Sequence, residues 1–317
     1  MSMLSKKYFK DEKAAFRHLE GLLWENGRVC PHCGTVDRSG ALEGVKDKKG
    51  RTRLGLYKCY ECRKQFTVRV GTVFESAHIP LHKCLQAVYL MTSSKKGISA
   101  HQLHRTLEIT YKSAWFLCHR IREAMRPKEF TPMGGAGKRV EVDETYFGHL
   151  KGANSKTVRW ASQHRNVVLT LVERSGSARS FHIDGTTMAT LGPILRTNLN
   201  RESHLMTDSA SWYKSIGKEY AAHGVVDHAH HEYIRGENYT NTVEGYFSIF
   251  KRGMKGVYQH CAEKHLHRYL SEFDFRYNNR VALGVNDEAR ADRAVKGIVG
   301  KRLTYRWPNE AESQTIC

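Results

Sequence analysis

Two cysteine pairs and three widely spaced acids are the residues of this sequence whose types and spacing could do chemistry. Cys30-Pro31-His32-Cys33 and Cys59-Tyr60-Glu61-Cys62 are C-x-x-C pairs separated by 25 residues. Each pair can set two thiolates on one metal, and four thiolates in a tetrahedron suit a closed, structural Zn2+. A redox dithiol would need a single C-x-x-C within a thioredoxin-like βαβ pattern, and neither pair lies in one. Phe66 is placed to pack beneath the four sulfurs. Cys84 and Cys118 fall on apolar helix faces and read as small core residues.

The acids suggest a different metal. Asp143 closes the alternating run Arg139-Val140-Glu141-Val142-Asp143, and Asp208 closes His204-Leu205-Met206-Thr207-Asp208. Glu244 follows after 35 intervening residues, in the first turn of a predicted helix. Two strand-end carboxylates and one helical carboxylate can converge on divalent ions that bind the attacking and leaving oxygens of a phosphodiester displacement. Such ligands favour Mg2+ or Mn2+ over zinc. Each acid also has a plain structural reading. Asp143 could be a surface residue, with Glu141 and Glu144 as rival ligands. Asp208 could cap the next helix, and Glu244 could be the capping-box partner of Asn241. Lys251 lies two helical turns beyond Glu244 on the same face, where it would aim a cation at a phosphate near the acids. His223, His228, His230, His231 and Glu232 form a further cluster, without the H-E-x-x-H spacing of a catalytic zinc helix.

The elements that must position these residues can be read from periodicity. Residues 11–24 predict a short helix. The glycine-rich stretch from Cys30 to Cys62 predicts hairpins, and 81–126 predicts helices broken at Gly97-Ile98-Ser99 with Ser99 as an N-cap. Pro127 to Gly137 reads as a linker. Strands follow at 139–143, 166–173 and 180–183, then helix 187–198, strand 204–208, helix 212–220, strand 225–226 and helical character from Thr242 to about Asn279. The tail from Val281 is polar and basic without a clear period. The fold class expected is therefore multidomain: a helix and zinc ribbon over 1–75, a helical segment over 76–130, a mixed α/β domain over 131–280 and a tail over 281–317.

The chain carries 51 Lys and Arg against 32 Asp and Glu, a formal net charge of +19. With 26% charged and 40% hydrophobic residues it is globular in composition rather than a disordered polycation. The charge favours a polyanionic partner, nucleic acid before a membrane surface. Nine Lys and Arg lie between Lys46 and Arg69, against Asp47 and Glu61. Lys46, Lys48, Lys49, Arg51 and Arg53 are candidate phosphate contacts there, the alternative being a rigid scaffold for protein contacts. Arg252 and Lys255 extend a basic face beyond Lys251. The N-terminus lacks a signal-peptide core and no apolar run could span a bilayer, so a soluble, cytoplasmic, nucleoid-associated protein is expected.

Taken together, these segments resemble bacterial insertion-sequence transposases of the IS1595 type, which join an N-terminal zinc ribbon to an RNase-H-like DDE domain. The matching residues are Cys30 to Gly34, Val140-Glu141-Val142-Asp143-Glu144-Thr145-Tyr146, Thr207-Asp208, Asn241 to Phe247, Lys251-Arg252-Gly253, and the runs His265 to Leu270 and Phe275 to Asn278. The resemblance implies a divalent-metal nuclease and strand transferase with Asp143, Asp208 and Glu244 as its triad. Members vary at the third position, so Asn241 stays open as the alternative ligand. It also implies partners: terminal inverted repeats, target DNA, and at least a second copy of the chain. Residues 99–126 would form a helix-turn-helix with Lys112, Arg120 and Arg122 toward phosphate, or else a packing spacer. Two other functions share these features: a non-catalytic zinc-ribbon DNA-binding regulator, and an RNA or DNA nuclease of the same fold.

Overall fold

A computed structural model describes residues 3–148, 165–227 and 236–304. In chain order the first elements are α1 (Glu12–Leu23), β1 (Ser39–Ala41), β2 (Tyr57–Cys59), β3 (Gln65–Phe66), α2 (Leu81–Ser93), α3 (Ala100–Leu107) and α4 (Tyr111–Met125). There follow β4 (Arg139–Phe147), β5 (Asn166–Glu173), β6 (Ala178–Ile183), α5 (Met188–Asn198), β7 (His204–Asp208), α6 (Tyr213–Ile216), β8 (Ala222–Val226), α7 (Asn241–Gly253), α8 (Leu266–Asn278) and α9 (Asp287–Lys296). The chain forms two compact units. One holds the described residues of 1–94, 98–125 and 287–317, the other those of 95–97 and 126–286.

In the first unit, β1, β2 and β3 make a small antiparallel sheet. Asp11 caps α1 by accepting from the Ala14 N–H at 2.8 Å, and α1 buries Ala15, Phe16 and Leu19. Pro80 cannot cap α2 with its side chain, and the orphan donors of that helix go to Glu12, which accepts from the N–H groups of Leu81 at 2.7 Å and His82 at 3.0 Å. Ser99 caps α3 as predicted, accepting from the Gln102 N–H at 3.1 Å. Glu108 ends α3 in a left-handed conformation, and with Ile109 and Thr110 it forms the short turn into α4. The two helices read over 99–126 are therefore α3 and α4.

The stretch beyond Val281 departs from the sequence expectation of an unpatterned tail. It contains α9, which buries Arg290, Ala291, Ala294 and Val295. Arg290 donates to the Thr92 carbonyl at the end of α2. The backbone beyond α9 pairs with the first unit: Val73 N–H donates to Ile298 O, and Gly300 N–H to Gly71 O. Gly297 permits this approach, because a Cβ there would lie 2.4 Å from the Ala124 carbonyl oxygen. The buried face of α9 is marked by one arginine, two alanines and a single valine, which is why its period escapes a hydrophobicity reading.

The second unit is built on a five-stranded sheet of order β6-β5-β4-β7-β8. β6, β5 and β4 pair antiparallel, and β4, β7 and β8 pair parallel. That order and those directions are the RNase-H-like arrangement. β5 is buried on both faces: Val167, Leu169 and Leu171 join the core with α5 and α6, whereas Val168 and Val172 join the core with α7 and α8. Two expectations change here. β4 runs on to Phe147 because β5 pairs with it along its whole length, so Asp143 sits mid-strand rather than at a strand end. The helical character from Thr242 to Asn279 is two helices, α7 and α8, with a π-helical turn at Met254–Tyr258 after the first.

Candidate functional site: four thiols and a carboxylate cluster

The four thiols of the ribbon converge. The sulfurs of Cys30, Cys33, Cys59 and Cys62 all lie within 4.8 Å of one another. Cys30 Sγ is 3.7 Å from Cys62 Sγ, and Cys33 Sγ is 3.6 Å from Cys59 Sγ. The Thr35 hydroxyl and amide draw the Cys33 thiol down to about 6, toward the thiolate that a metal requires. Phe66 and Tyr57 pack with Cys30 and Cys59, as the sequence suggested for Phe66, and Trp24 meets both aromatic rings edge-on. Four converging sulfurs over an aromatic floor fit a structural zinc ion.

Lys46, Lys48, Lys49, Arg51 and Arg53 are all exposed on the loop before β2. The Lys46–Thr52 bridge closes a hairpin tip there. Asp47 organises it, accepting from the N–H groups of Lys49 and Arg51 at 2.8 and 2.9 Å, and Arg51 pairs with it at 2.7 Å. Arg69 is a clamp instead, donating to the carbonyls of Phe74 and Ala77. Lys112 is exposed in the first turn of α4. Arg120 and Arg122 are buried, 9% and 2% exposed, and do not present phosphate contacts. The reason lies in α4 itself, which is buried continuously from Leu117 to Arg122 and has no free face in that half.

In the second unit, β4 and β7 set the acids. The parallel ladder pairs Val140 with Leu205 and Glu141 with Met206. Asp143 shares a strand face with Glu141, on the side of the sheet that packs α7. Its Oδ1 accepts from the Glu144 N–H at 2.8 Å. Burial, helped by the nearby charges of Asp208 and Glu244, pushes the Asp143 carboxyl up to about 7, against the opposing pull of the Glu144 N–H and Lys251. The four groups thus share one electrostatic neighbourhood. Among the described residues, only the four cysteines bring three or more such ligand atoms within 4.8 Å of one another. The acids stand wider apart than the thiols.

The plain structural readings of these acids do not hold. Asp208 accepts from the Ala210 N–H at 3.1 Å, and the N-cap of α6 is Trp212. Asn241 is the first residue of α7 rather than its cap; the cap is Thr240, so Asn241 and Glu244 do not form a capping box. Both side chains are exposed, and Thr240 Oγ1 donates to Glu244 Oε1 at 3.3 Å. Lys251 is partly buried, whereas Arg252 and Lys255 are exposed; Arg252 folds back onto Ser248.

The two rival ligands are held differently from Asp143, although Glu144 also feels the charges of Asp143 and Asp208. Glu144 lies on the opposite strand face, where burial pushes its carboxyl up to about 8 beside Tyr213. Glu141 is fully buried, and its oxygens accept from the N–H groups of Thr242 and Val243, the Thr242 hydroxyl and Arg174. Sequence reasoning missed this contact; the available signal was an acid set between Val140 and Val142 in a predicted strand. Of the histidine cluster, His223 is hydrogen-bonded to the Thr207 hydroxyl at 2.9 Å. His228, His230, His231 and Glu232 lie outside the described residues.

No described helix is long and apolar enough to cross a membrane. Comparison with known proteins places these features in a family. An ISXO2-like transposase domain of the IS1595 group matches residues 134–278, and a transposase zinc-ribbon domain of the same group matches residues 10–65. A protein in transposable element ISH50 of Halobacterium salinarum is 25% identical over 300 residues, covering 86% of this chain and 93% of that one. A transposase-like protein of Haemophilus influenzae is 28% identical over 91 residues, covering 29% of this chain and 72% of its own length. The simian T-cell lymphotropic virus intasome, solved with the PP2A regulatory subunit B56 gamma, matches 54% of this chain and 67% of its own at 17% identity and a TM-score of 0.29, a superposition too loose to carry an argument. Its ribbon and its sheet domain are thus each matched by a model of the same group, that of the IS1595-type transposases.

Proposed function

We propose that the protein cleaves the ends of an insertion sequence and joins them to target DNA, with Asp143, Asp208 and Glu244 as the metal-binding acids. The observation that carries this reading is the surroundings of Asp143: an acid on the central strand of an RNase-H-like sheet, beside the parallel strand that ends at Asp208, raised first by burial and then by the charges of Asp208 and Glu244, with Lys251 opposing. A carboxylate set of this kind suits Mg2+ or Mn2+, and two such ions supply stabilisation of the attacking and leaving oxygens when bound. Asp143 and Asp208 hold one side of the site from adjacent strands. Glu244 closes it from α7, with Asn241 one turn earlier as the alternative ligand. Lys251 takes a DNA phosphate beside the acids.

Two displacements are required. Water attacks phosphorus at the element's end and frees a 3′-hydroxyl. That hydroxyl then attacks a target phosphodiester, so one phosphodiester bond forms as another breaks and no covalent protein–DNA species is needed. The hairpin tip of Lys46, Lys48, Lys49, Arg51 and Arg53 and the first turn of α4 with Lys112 grip the DNA, while Arg252 and Lys255 extend the grip beside the acids. Pairing two ends calls for at least a dimer. The test is Mg2+-dependent cleavage of the DNA flanking the gene, followed by joining to a plasmid. Cleavage without joining would favour a nuclease of the same fold. End binding without cleavage would favour a DNA-binding regulator.

A further inference from the structure

The N-cap residue of α7 lends the helix no side chain, yet the orphan N–H groups of Thr242 and Val243 are satisfied. Thr240 makes no side-chain cap hydrogen bond. Glu141 takes that role from 101 residues away in sequence: Oε2 accepts from the N–H groups of Thr242 at 2.8 Å and Val243 at 3.0 Å, and Oε1 accepts from Thr242 Oγ1 at 2.8 Å. The same Oε1 accepts from Arg174 Nε at 2.6 Å. Arg174 in turn donates to the carbonyls of Glu237 and Tyr239 at 2.8 Å each, and its guanidinium lies 3.5 Å over the Tyr239 ring. Glu141 is 0% exposed, so the bonds its carboxylate accepts are shielded from water.

Glu141 precedes Asp143 by two residues on β4. Thr242 and Val243 immediately precede Glu244 on α7. We infer that Glu141, held by Arg174, is a positioning residue that fixes the helix carrying the third ligand to the strand carrying the first. A helix N-terminus attracts a carboxylate through its free N–H groups and its dipole. Here that attraction is spent on registering two elements rather than on binding a ligand. The spacing between Asp143 and Glu244 is then set by one buried side chain instead of by the segment before α7. This inference rests on the proposed metal site, but the tether itself can be measured without it.

The experiment uses the full-length protein as wild type, Glu141→Gln and Arg174→Gln. Gln keeps the shape of Glu and one strong acceptor, so the fold has the best prospect of surviving. Hydrogen exchange is read at the amides of 242–245, and Mn2+ half-saturation by electron paramagnetic resonance. Both variants should speed exchange at 242–245 by at least about fivefold while β4 and β5 stay protected. Both should raise the Mn2+ half-saturation concentration by about 10- to 100-fold, the range typical when an outer partner of a metal site is lost. Loss of fold stability alone would speed exchange across the whole sheet and leave Mn2+ affinity in the folded fraction unchanged; that result overturns the inference. So does unchanged exchange at 242–245. If wild type binds no Mn2+ and cuts no DNA, the metal-site reading fails, and the tether stands or falls on the exchange data alone.

Discussion

Asp143 and Asp208 lie on neighbouring parallel strands, each two residues beyond Glu141–Met206, the last pair of the ladder that joins them. Replacing either with Asn should abolish Mg2+-dependent end cleavage, by at least about 100-fold, while end binding in a gel-shift assay stays within about twofold. Asp143→Asn should also raise the melting temperature of the metal-free protein above pH 7, because it removes a carboxylate whose ionised form burial disfavours. A variant that keeps full cleavage would remove Asp143 from the site.

The same carboxyl sets a pH dependence. Its folded pKa, about 7, lies above the ordinary 3.8, so the folded state binds the proton more tightly than the unfolded one. Stability from this group is therefore present in acid and is lost as pH rises from about 4 through about 7. Divalent ions take the ionised form and should offset that loss. The upward shift in melting temperature on adding Mg2+ should grow as pH rises through this window. A Mg2+ effect that shrinks with rising pH would contradict the assignment.

Glu244→Gln and Asn241→Ala separate the two candidates for the third ligand. Neither residue caps α7, so both variants should melt within a few degrees of wild type. Glu244→Gln should lose cleavage by about 100-fold and Asn241→Ala by less than about tenfold, because it is the Glu244 charge that reaches Asp143. The reverse order in a side-by-side assay would assign the role to Asn241.

Zinc should hold the ribbon. Cys59→Ser, or exhaustive chelation, should remove stoichiometric zinc and disorder the small sheet, since loss of a structural site costs several kcal/mol of folding energy. Trp24 meets Tyr57 and Phe66 edge-on, so its fluorescence should report the loss directly. End binding should weaken with it. Unchanged Trp24 emission after verified zinc removal would show that the ribbon folds without metal.

Basic residues should sort by exposure. Lys48→Ala with Lys49→Ala should weaken end binding and lower the salt slope by about 0.9 for each phosphate contact removed. Arg120→Ala and Arg122→Ala should instead lower the melting temperature by several degrees, because they vacate buried positions in α4. Salt titration and thermal melts on the same variants distinguish the two behaviours.

What could be read in advance follows the range of the interactions involved. The cysteines declare themselves because each knuckle is local, and Ser99 is legible because a cap acts within three residues. Asp143 and Asp208 stand out because each closes a short strand-like run. The end of β4 was misplaced because β5 pairs with it as far as Phe147, which no local pattern discloses. Arg120 and Arg122 look like exposed cations in sequence, but Leu117, Cys118, Ile121, Ala124 and Met125 surround them with buried positions. Glu141 was visible only as a rival ligand, since its partners are Thr242, Val243 and Arg174, brought to it by the fold.

The position of α9 bears on how the protein is made. The chain leaves the first unit after α4, builds the whole sheet domain, and returns only at Asp287 to complete the packing on α2. During synthesis the apolar face of α2 waits for the last helix to emerge, while the sheet domain already has every strand it needs. A polypeptide stopped short of Asp287 would therefore carry a finished sheet and an unfinished ribbon-and-helix unit. Early termination or C-terminal proteolysis would disable the proposed DNA grip before it touched the acids.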